Sequence, residues 1–86
     1  MKTVKWRKSF KKDYNKLDNN KKRAWAAALR LLYYDPKNKK LRRHKLKGKY
    51  KGLESIDITP DLRALFFENN NKFVFYYLKN HNQLYS

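Results

Sequence analysis

Apolar residues follow a helical spacing in the first part of the chain and a strand spacing in the second. After Ser9, which we expect to be an N-cap, they recur every three or four positions at Phe10, Tyr14 and Leu17. The polar segment LDNN then predicts a break, with Asn19 or Asn20 capping a second helix. Its apolar stripe comprises Trp25, Ala28, Leu29 and Leu32. We expect this helix to end at Asp35-Pro36, because the residue before proline disfavours the helical region.

From residue 53 onward the apolar period becomes two. The segments LESIDIT, LRALFF and KFVFYYL, separated by TPD and ENNN, predict three strands in an antiparallel meander. The segment TVKW predicts a further strand before the first helix. Asp57 alternates with Ile56 and Ile58, so we expect its side chain to point away from the core.

The resulting order β-α-α-β-β-β predicts an α+β fold. A two-helix hairpin should pack on one face of a mostly antiparallel sheet of four to five strands, leaving the other face free to bind a partner. The 86 residues are the length of one domain, residues 1–86. The longest apolar runs, AWAAAL and FVFYYL, are far shorter than the roughly 20 residues that cross a bilayer. We therefore expect a soluble, cytoplasmic protein with no membrane partner.

The positive charge is concentrated in one segment. Lys and Arg number 23 against 7 Asp and Glu, a net charge of +16, and nine of the fifteen residues from Lys37 to Lys51 are basic. Nucleic acid is the expected partner, because neutralised phosphates release counterions. An acidic protein, an anionic membrane surface and a lysine-rich genome are alternative explanations of the charge. The candidate RNA- and phosphate-binding residues are Arg42, Arg43, Lys45, Lys47, Lys49 and Lys51.

The lysines at the end of this segment alternate with Gly48, Tyr50 and Gly52. This pattern predicts a ribbon with a cationic edge that could follow a phosphate backbone. The alternative is a solvated strand edge whose lysines prevent aggregation.

Two further residues stand out by their chemistry. His44 lies within the basic segment and carries an imidazole that can accept a proton when neutral, although it could also be an idle loop residue. Arg63 interrupts an apolar strand, so it is either an ion-pair partner, for Asp57 or Glu54, or a phosphate ligand. The chain has no cysteine and only two histidines, so we expect no metal site and no cofactor.

Three segments, SFKKDYNKL, HKLKGKYKGLESIDITPDLRALFF and KNHNQLY, occur in an order that resembles the RelE/ParE superfamily of bacterial type II toxin–antitoxin toxins. The resemblance is strongest to the YafQ-like mRNA interferases. It implies the small RelE-like fold and an endoribonuclease that cuts mRNA in the ribosomal A site and so inhibits translation. It also implies a toxin that is monomeric alone and forms a hetero-oligomer with a cognate acidic antitoxin.

The resemblance also carries functional positions onto this sequence. The positions that match are His44, Asp61, Arg63, His81 and Tyr85. It implies His81 as general acid, Arg63 and neighbouring lysines as phosphate stabilisers, and His44, aided by Asp61, as base or orienting group. Tyr85 would stack on or orient a base.

The sequence departs from the family pattern at four points. Leu62 replaces an aromatic residue after Pro-Asp, and the glycine usual before the final histidine is absent. Asp57 stands where similar toxins carry a second histidine, which makes it a candidate catalytic substitute, and Tyr77 stands where an arginine is expected. These changes keep two alternatives open. One is a catalytically weakened or inactive RNA-binding homologue, and the other is a ParE-like inhibitor of DNA gyrase. The histidines at 44 and 81 argue against the gyrase inhibitor, because that role needs no acid–base pair.

Overall fold

The computed structural model, which describes residues 2–85, confirms the predicted α+β architecture. Its five-stranded sheet has the strand order β1-β5-β4-β3-β2, with β1 parallel to β5 and all other pairs antiparallel. Short 3-10 turns cover Lys39–Leu41 and Gly48–Tyr50. The strands and helices are β1 Thr3–Trp6, α1 Lys8–Asn15, α2 Asn19–Tyr34, β2 His44–Lys45, β3 Glu54–Asp57, β4 Leu62–Glu68, β5 Lys72–Asn80 and α3 His81–Tyr85.

The end of α2 is confirmed, but both predicted N-caps are wrong. Arg7 occupies the N-cap of α1 and Ser9 lies inside the helix. The N-cap of α2 is Asp18, whose carboxylate accepts a hydrogen bond from the amide of Lys21 at 2.9 Å. A carboxylate at this position also interacts favourably with the positive end of the helix dipole. The helix ends at Tyr34 with Asp35 as C-cap.

The core lies between the two long helices and one face of the sheet, as predicted. Phe10 of α1 and Trp25 of α2 are buried with their ring centroids 4.9 Å apart, and Trp25 meets Phe75 of β5 edge-on at 4.7 Å. Such aromatic pairs contribute about 0.5–1.5 kcal/mol each beyond their buried area. The other buried sheet residues on this face include Ile56, Ala64, Phe66, Phe73 and Leu78.

A bulge in β5 changes which of its side chains face the helices. Leu65 pairs with Tyr77 but the next residue, Phe66, pairs with Phe75, so Tyr76 is an extra residue on β5. The extra residue reverses the alternation, which lets Phe75 and Leu78 both enter the core.

Helix α1 satisfies the backbone groups beside this bulge. The hydroxyl of Ser9 donates to the Tyr76 carbonyl at 2.5 Å, and the carboxylate of Asp13 accepts from the amide of Leu78 at 3.0 Å. Since Ser9 and Asp13 are four residues apart, they lie on the same face of α1. Helix α1 therefore satisfies backbone groups of β5 beyond Phe75, where β1 no longer pairs with it.

The second face of the sheet is less open than predicted. Ser55 and Leu65 on this face are fully buried, and Arg63 retains only 8% of its accessible surface. Tyr50, from the turn before β3, packs against Tyr77 with centroids 5.6 Å apart, and Tyr77 is the register partner of Leu65. The accessible polar side chains consequently lie at the rim of this face. None of the helices within residues 2–85 is long and apolar enough to cross a membrane.

Candidate functional site

His44 lies at the edge of the second face, where the short strand β2 joins the sheet. Its register partner is Ser55, which faces away from the helices because its neighbour Ile56 is in the core. The His44 side chain is exposed and lines a depression of about 320 Å³. Lys45, Lys47 and Leu84 share this depression, so β2, the following loop and α3 meet there.

The imidazole of His44 is held by a backbone carbonyl. Its Nδ1 lies 2.8 Å from the carbonyl oxygen of Arg42. A carbonyl oxygen only accepts hydrogen bonds, so Nδ1 must carry the proton in this contact. In the neutral ring, Nε2 then has the lone pair and can act as a base.

His81 is the first residue of α3, and reciprocal side-chain bonds support that helix start. The amide of Asn80 donates to Oε1 of Gln83 at 2.9 Å, and the amide of Gln83 donates to Oδ1 of Asn80 at 2.8 Å. This is a capping box, with asparagine and glutamine in the two roles. His81 and Leu84 are three residues apart on α3 and so are neighbours on its surface. Leu84 thus lines the His44 depression, and His81 lies three residues before it on the same short helix.

Asp61 holds the backbone of His81 in place. The His81 amide donates to the carbonyl of Asp61 at 3.1 Å and lies 3.4 Å from its Oδ1. Asp61 lines a different depression, together with Asp13 and Lys16 of the α1 region. Its contacts favour an orienting role through His81 over direct assistance to His44.

Asp57 and Arg63 form an ion pair on the second face. Nε of Arg63 lies 3.0 Å from Oδ1 of Asp57, and Nη1 donates to the carbonyls of Pro60 at 2.9 Å and Thr59 at 3.4 Å. The register places Asp57 directly opposite Arg63. Of the two interpretations of Arg63, the ion pair with Asp57 is confirmed. While that pair holds, the two charged groups are engaged with each other and not with a substrate.

Arg43 is engaged with carboxylates on the helix side of the sheet. It binds both oxygens of Glu54 at 2.8 and 2.9 Å and one oxygen of Glu68 at 2.5 Å. The bond with Glu54 raises the pKa of Arg43 against the effect of burial. Burial raises the pKa of Glu68, but hydrogen bonds from Arg43 and Lys2 outweigh it and leave that pKa below its usual range. We therefore remove Arg43 from the candidate phosphate-binding residues.

The remaining basic candidates are exposed, but the predicted ribbon is wrong. Gly48–Tyr50 form a 3-10 turn, and Gly48 and Gly52 have φ values of 65° and 98°. These left-handed conformations suit glycine and interrupt an extended ribbon. Tyr50 anchors the turn on Tyr77, so the residue that stands in place of an arginine supports the loop. The exposed cations of this segment, called the cationic rim below, are Arg42, Lys45, Lys47, Lys49 and Lys51, of which Lys45 and Lys47 line the His44 depression.

Sequence reasoning missed two features of the site. The pattern NHNQ contains the spacing of the capping box formed by Asn80 and Gln83, and could have revealed it. The burial of Ser55 has no such signal, because it depends on how Tyr50 folds back over the sheet. The side chain of Tyr85 lies outside the described part of the structure, so its stacking role stays a prediction.

The family model described as "Bacterial toxin of type II toxin-antitoxin system, YafQ" matches residues 2–86. No curated protein matches the sequence.

Solved structures share the fold. A mutant YafQ from E. coli is 18% identical with a TM-score of 0.76, and the match covers 100% of both chains. The conserved hypothetical protein HP0894 from Helicobacter pylori is 26% identical with a TM-score of 0.76, over 99% of this chain and 100% of that one. YafQ in the E. coli DinJ–YafQ complex is 19% identical with a TM-score of 0.72, over 100% of both chains. The predicted resemblance is thus confirmed, and the chain belongs to the YafQ family of bacterial type II toxin–antitoxin toxins.

Proposed function

We propose that the toxin is a metal-independent endoribonuclease that cleaves mRNA in the ribosomal A site and thereby inhibits translation. The observation that carries the proposal is the meeting of β2 and α3. His44 and Leu84 line one depression, and His81 is the neighbour of Leu84 on α3. We infer that the two imidazoles act together beside this depression, on a surface that also carries the cationic rim.

In the proposed reaction, Nε2 of neutral His44 takes the proton of a ribose 2′-OH. The 2′-oxygen attacks the adjacent phosphorus and the bond from phosphorus to the 5′-oxygen breaks. His81, in its imidazolium form, gives a proton to the departing 5′-oxygen, so the products are a 2′,3′-cyclic phosphate and a 5′-hydroxyl. Lys45 and Lys47 stabilise the charge that develops on the phosphorane oxygens.

The other predicted site residues have supporting roles in this proposal. Asp61 orients His81 through its backbone contacts, and Tyr85 stacks on a base next to the cut. Arg63 would stabilise a phosphate only by giving up its bond to Asp57, so we assign it first to holding β3 against β4.

We propose an acidic antitoxin as the protein partner, with the toxin alone a monomer. The net charge of +16 favours an acidic partner, and YafQ from E. coli has been solved in complex with DinJ. An apolar groove beside α2 is lined by Ala27 and Leu31 and bordered by Arg30, Lys40 and Asp57, the last of which is paired with Arg63. Its apolar floor and basic rim suit an amphipathic helix with acidic flanks. Light scattering should show a monomeric toxin and a hetero-oligomer once the antitoxin is added.

The test is primer extension on an mRNA in a purified translation system. We expect the unaltered toxin to cut at A-site codons, and His44→Ala and His81→Ala to abolish the cuts while binding RNA. Lys11→Ala, an exposed change on α1, is the matched control and should cut normally. Absence of cleavage by the folded, unaltered toxin would refute the nuclease and leave the RNA-binding or gyrase-directed alternatives.

A further inference from the structure

Arg42 has an unusual backbone conformation for its residue type. Among residues 2–85 it is the only non-glycine residue with a positive φ, at φ 46° and ψ 42°. The left-handed conformation costs an L-amino acid roughly 1–2 kcal/mol, because Cβ approaches the following carbonyl oxygen. Strain of this kind persists where the surrounding structure imposes it and is frequent at functional sites.

The side chain of Arg42 does not account for this conformation. It is 74% exposed, and its Nε lies 3.8 Å from Oδ2 of Asp57. An ion pair so long and so exposed contributes little to stability. The conformation must therefore be explained by the hydrogen bonds that the Arg42 backbone makes.

The backbone of Arg42 connects two elements of the site. Its amide closes the turn Lys39–Leu41 by donating to the Lys39 carbonyl at 3.1 Å. Its own carbonyl reaches Nδ1 of His44 at 2.8 Å. The left-handed residue thus ends the turn and aims a hydrogen-bond acceptor at the first residue of β2.

We propose that Arg42 is a positioning residue whose left-handed backbone fixes the tautomer and the orientation of His44. The carbonyl keeps the proton on Nδ1 and leaves Nε2 directed outward as the hydrogen-bond acceptor. The effect on cleavage rests on the proposed function, whereas the tautomer is a property of the protein without RNA. The positive charge of the Arg42 side chain contributes separately to the cationic rim. The variant Arg42→Ala measures that contribution.

Three substitutions at Arg42 distinguish the effect of its backbone conformation from the effect of its side-chain charge. Arg42→Ala removes the charge and keeps the same backbone penalty. Arg42→Gly removes the charge and makes the left-handed conformation easy, whereas Arg42→Val removes the charge and makes it much harder, since β-branched residues rarely adopt it. If Arg42→Val does not fold, Arg42→Thr imposes the same type of restriction with a polar side chain.

The primary measurement is the protonation of the imidazole nitrogens by long-range ¹H–¹⁵N correlation spectra of labelled protein at about pH 8.5, where an ordinary imidazole is neutral. The chain has two histidines, so His44→Ala assigns both sets of signals. We expect the proton on Nδ1 of His44 in the unaltered, Ala and Gly proteins, and on Nε2 in Arg42→Val. Cleavage should fall roughly tenfold or more from Arg42→Ala to Arg42→Val, as expected for a misaligned base.

The proposal would be overturned by an Nε2-protonated His44 in the unaltered protein, or by an unchanged tautomer in a folded Arg42→Val or Arg42→Thr protein. The expected tautomers combined with no cleavage by the unaltered toxin would uphold the positioning role and refute the nuclease. The two ideas can therefore fail separately.

Discussion

The salt dependence of RNA binding should depend on which cations are neutralised. The cationic rim has five members, and one phosphate contact for each predicts a log–log slope of about −3.5 for single-stranded RNA. Between 50 and 200 mM salt, affinity would then fall roughly a hundredfold. In the double variant Lys45→Gln, Lys47→Gln, three contacts remain, so the slope should become about −2.1 and the fall about twentyfold.

Fluorescence anisotropy with a short labelled RNA, measured across this salt range, gives the slope directly. The control is Lys11→Gln, Lys12→Gln, which removes the same charge from exposed positions on α1, on the opposite side of the sheet. Its slope should match that of the unaltered protein. Equal changes in both double variants would show that total charge, and not the cationic rim, determines binding, and would refute the proposed location of the interface.

Three predictions concern stability and the position of α3. Asp13→Ala leaves the buried amide of Leu78 without its acceptor and should lower the free energy of unfolding by about 1–3 kcal/mol in urea titrations; an unchanged midpoint would contradict the role given to α1. The lowered pKa of Glu68 means that its charged form stabilises the fold above about pH 4.3, a contribution that is lost as pH falls through the folded-state value. Glu68→Gln should therefore cost about 1 kcal/mol at pH 7 and flatten the loss of stability as the pH falls below about 4.3. An unchanged acid profile would show that the ion pair with Arg43 does not contribute to stability. Asn80→Ala removes the capping box and should reduce cleavage while changing the free energy of unfolding by no more than about 1 kcal/mol. Normal cleavage by this variant would show that activity does not depend on an ordered α3.

The architecture could be predicted because it depends on local periodicity. The stripe through Trp25 and Leu32 and the alternation in LESIDIT each identify one element and its buried side. The short strand β2 was not predicted, since two residues in a lysine-rich segment carry no period. The N-caps failed for a different reason. Ser9 instead donates a hydrogen bond to the carbonyl of Tyr76, the extra residue in the bulge of β5. No pattern near Ser9 in the sequence indicates that bulge.

The candidate site was less predictable because it depends on which side of the sheet a residue faces. Arg42 and Arg43 are adjacent and chemically identical, yet Arg42 is exposed at the rim and Arg43 lies against Glu54 on the helix side. Their separation depends on the left-handed backbone of Arg42 and on the ion pairs of Arg43, neither of which the sequence pattern indicates. The pair formed by Asp57 and Arg63 likewise required the register between β3 and β4, which periodicity alone does not provide.

The central place of β5 in the sheet sets the order in which the toxin can mature during its synthesis. β5 lies between β1 and β4, so β1 has no partner in the sheet until residues 72–80 have been translated. The helices cover a core that includes Phe73, Phe75 and Leu78, so a nascent chain lacking β5 cannot complete that core. His81 follows β5 directly. The proposed site, which needs both His44 and His81, consequently cannot form until nearly all of these residues have been translated.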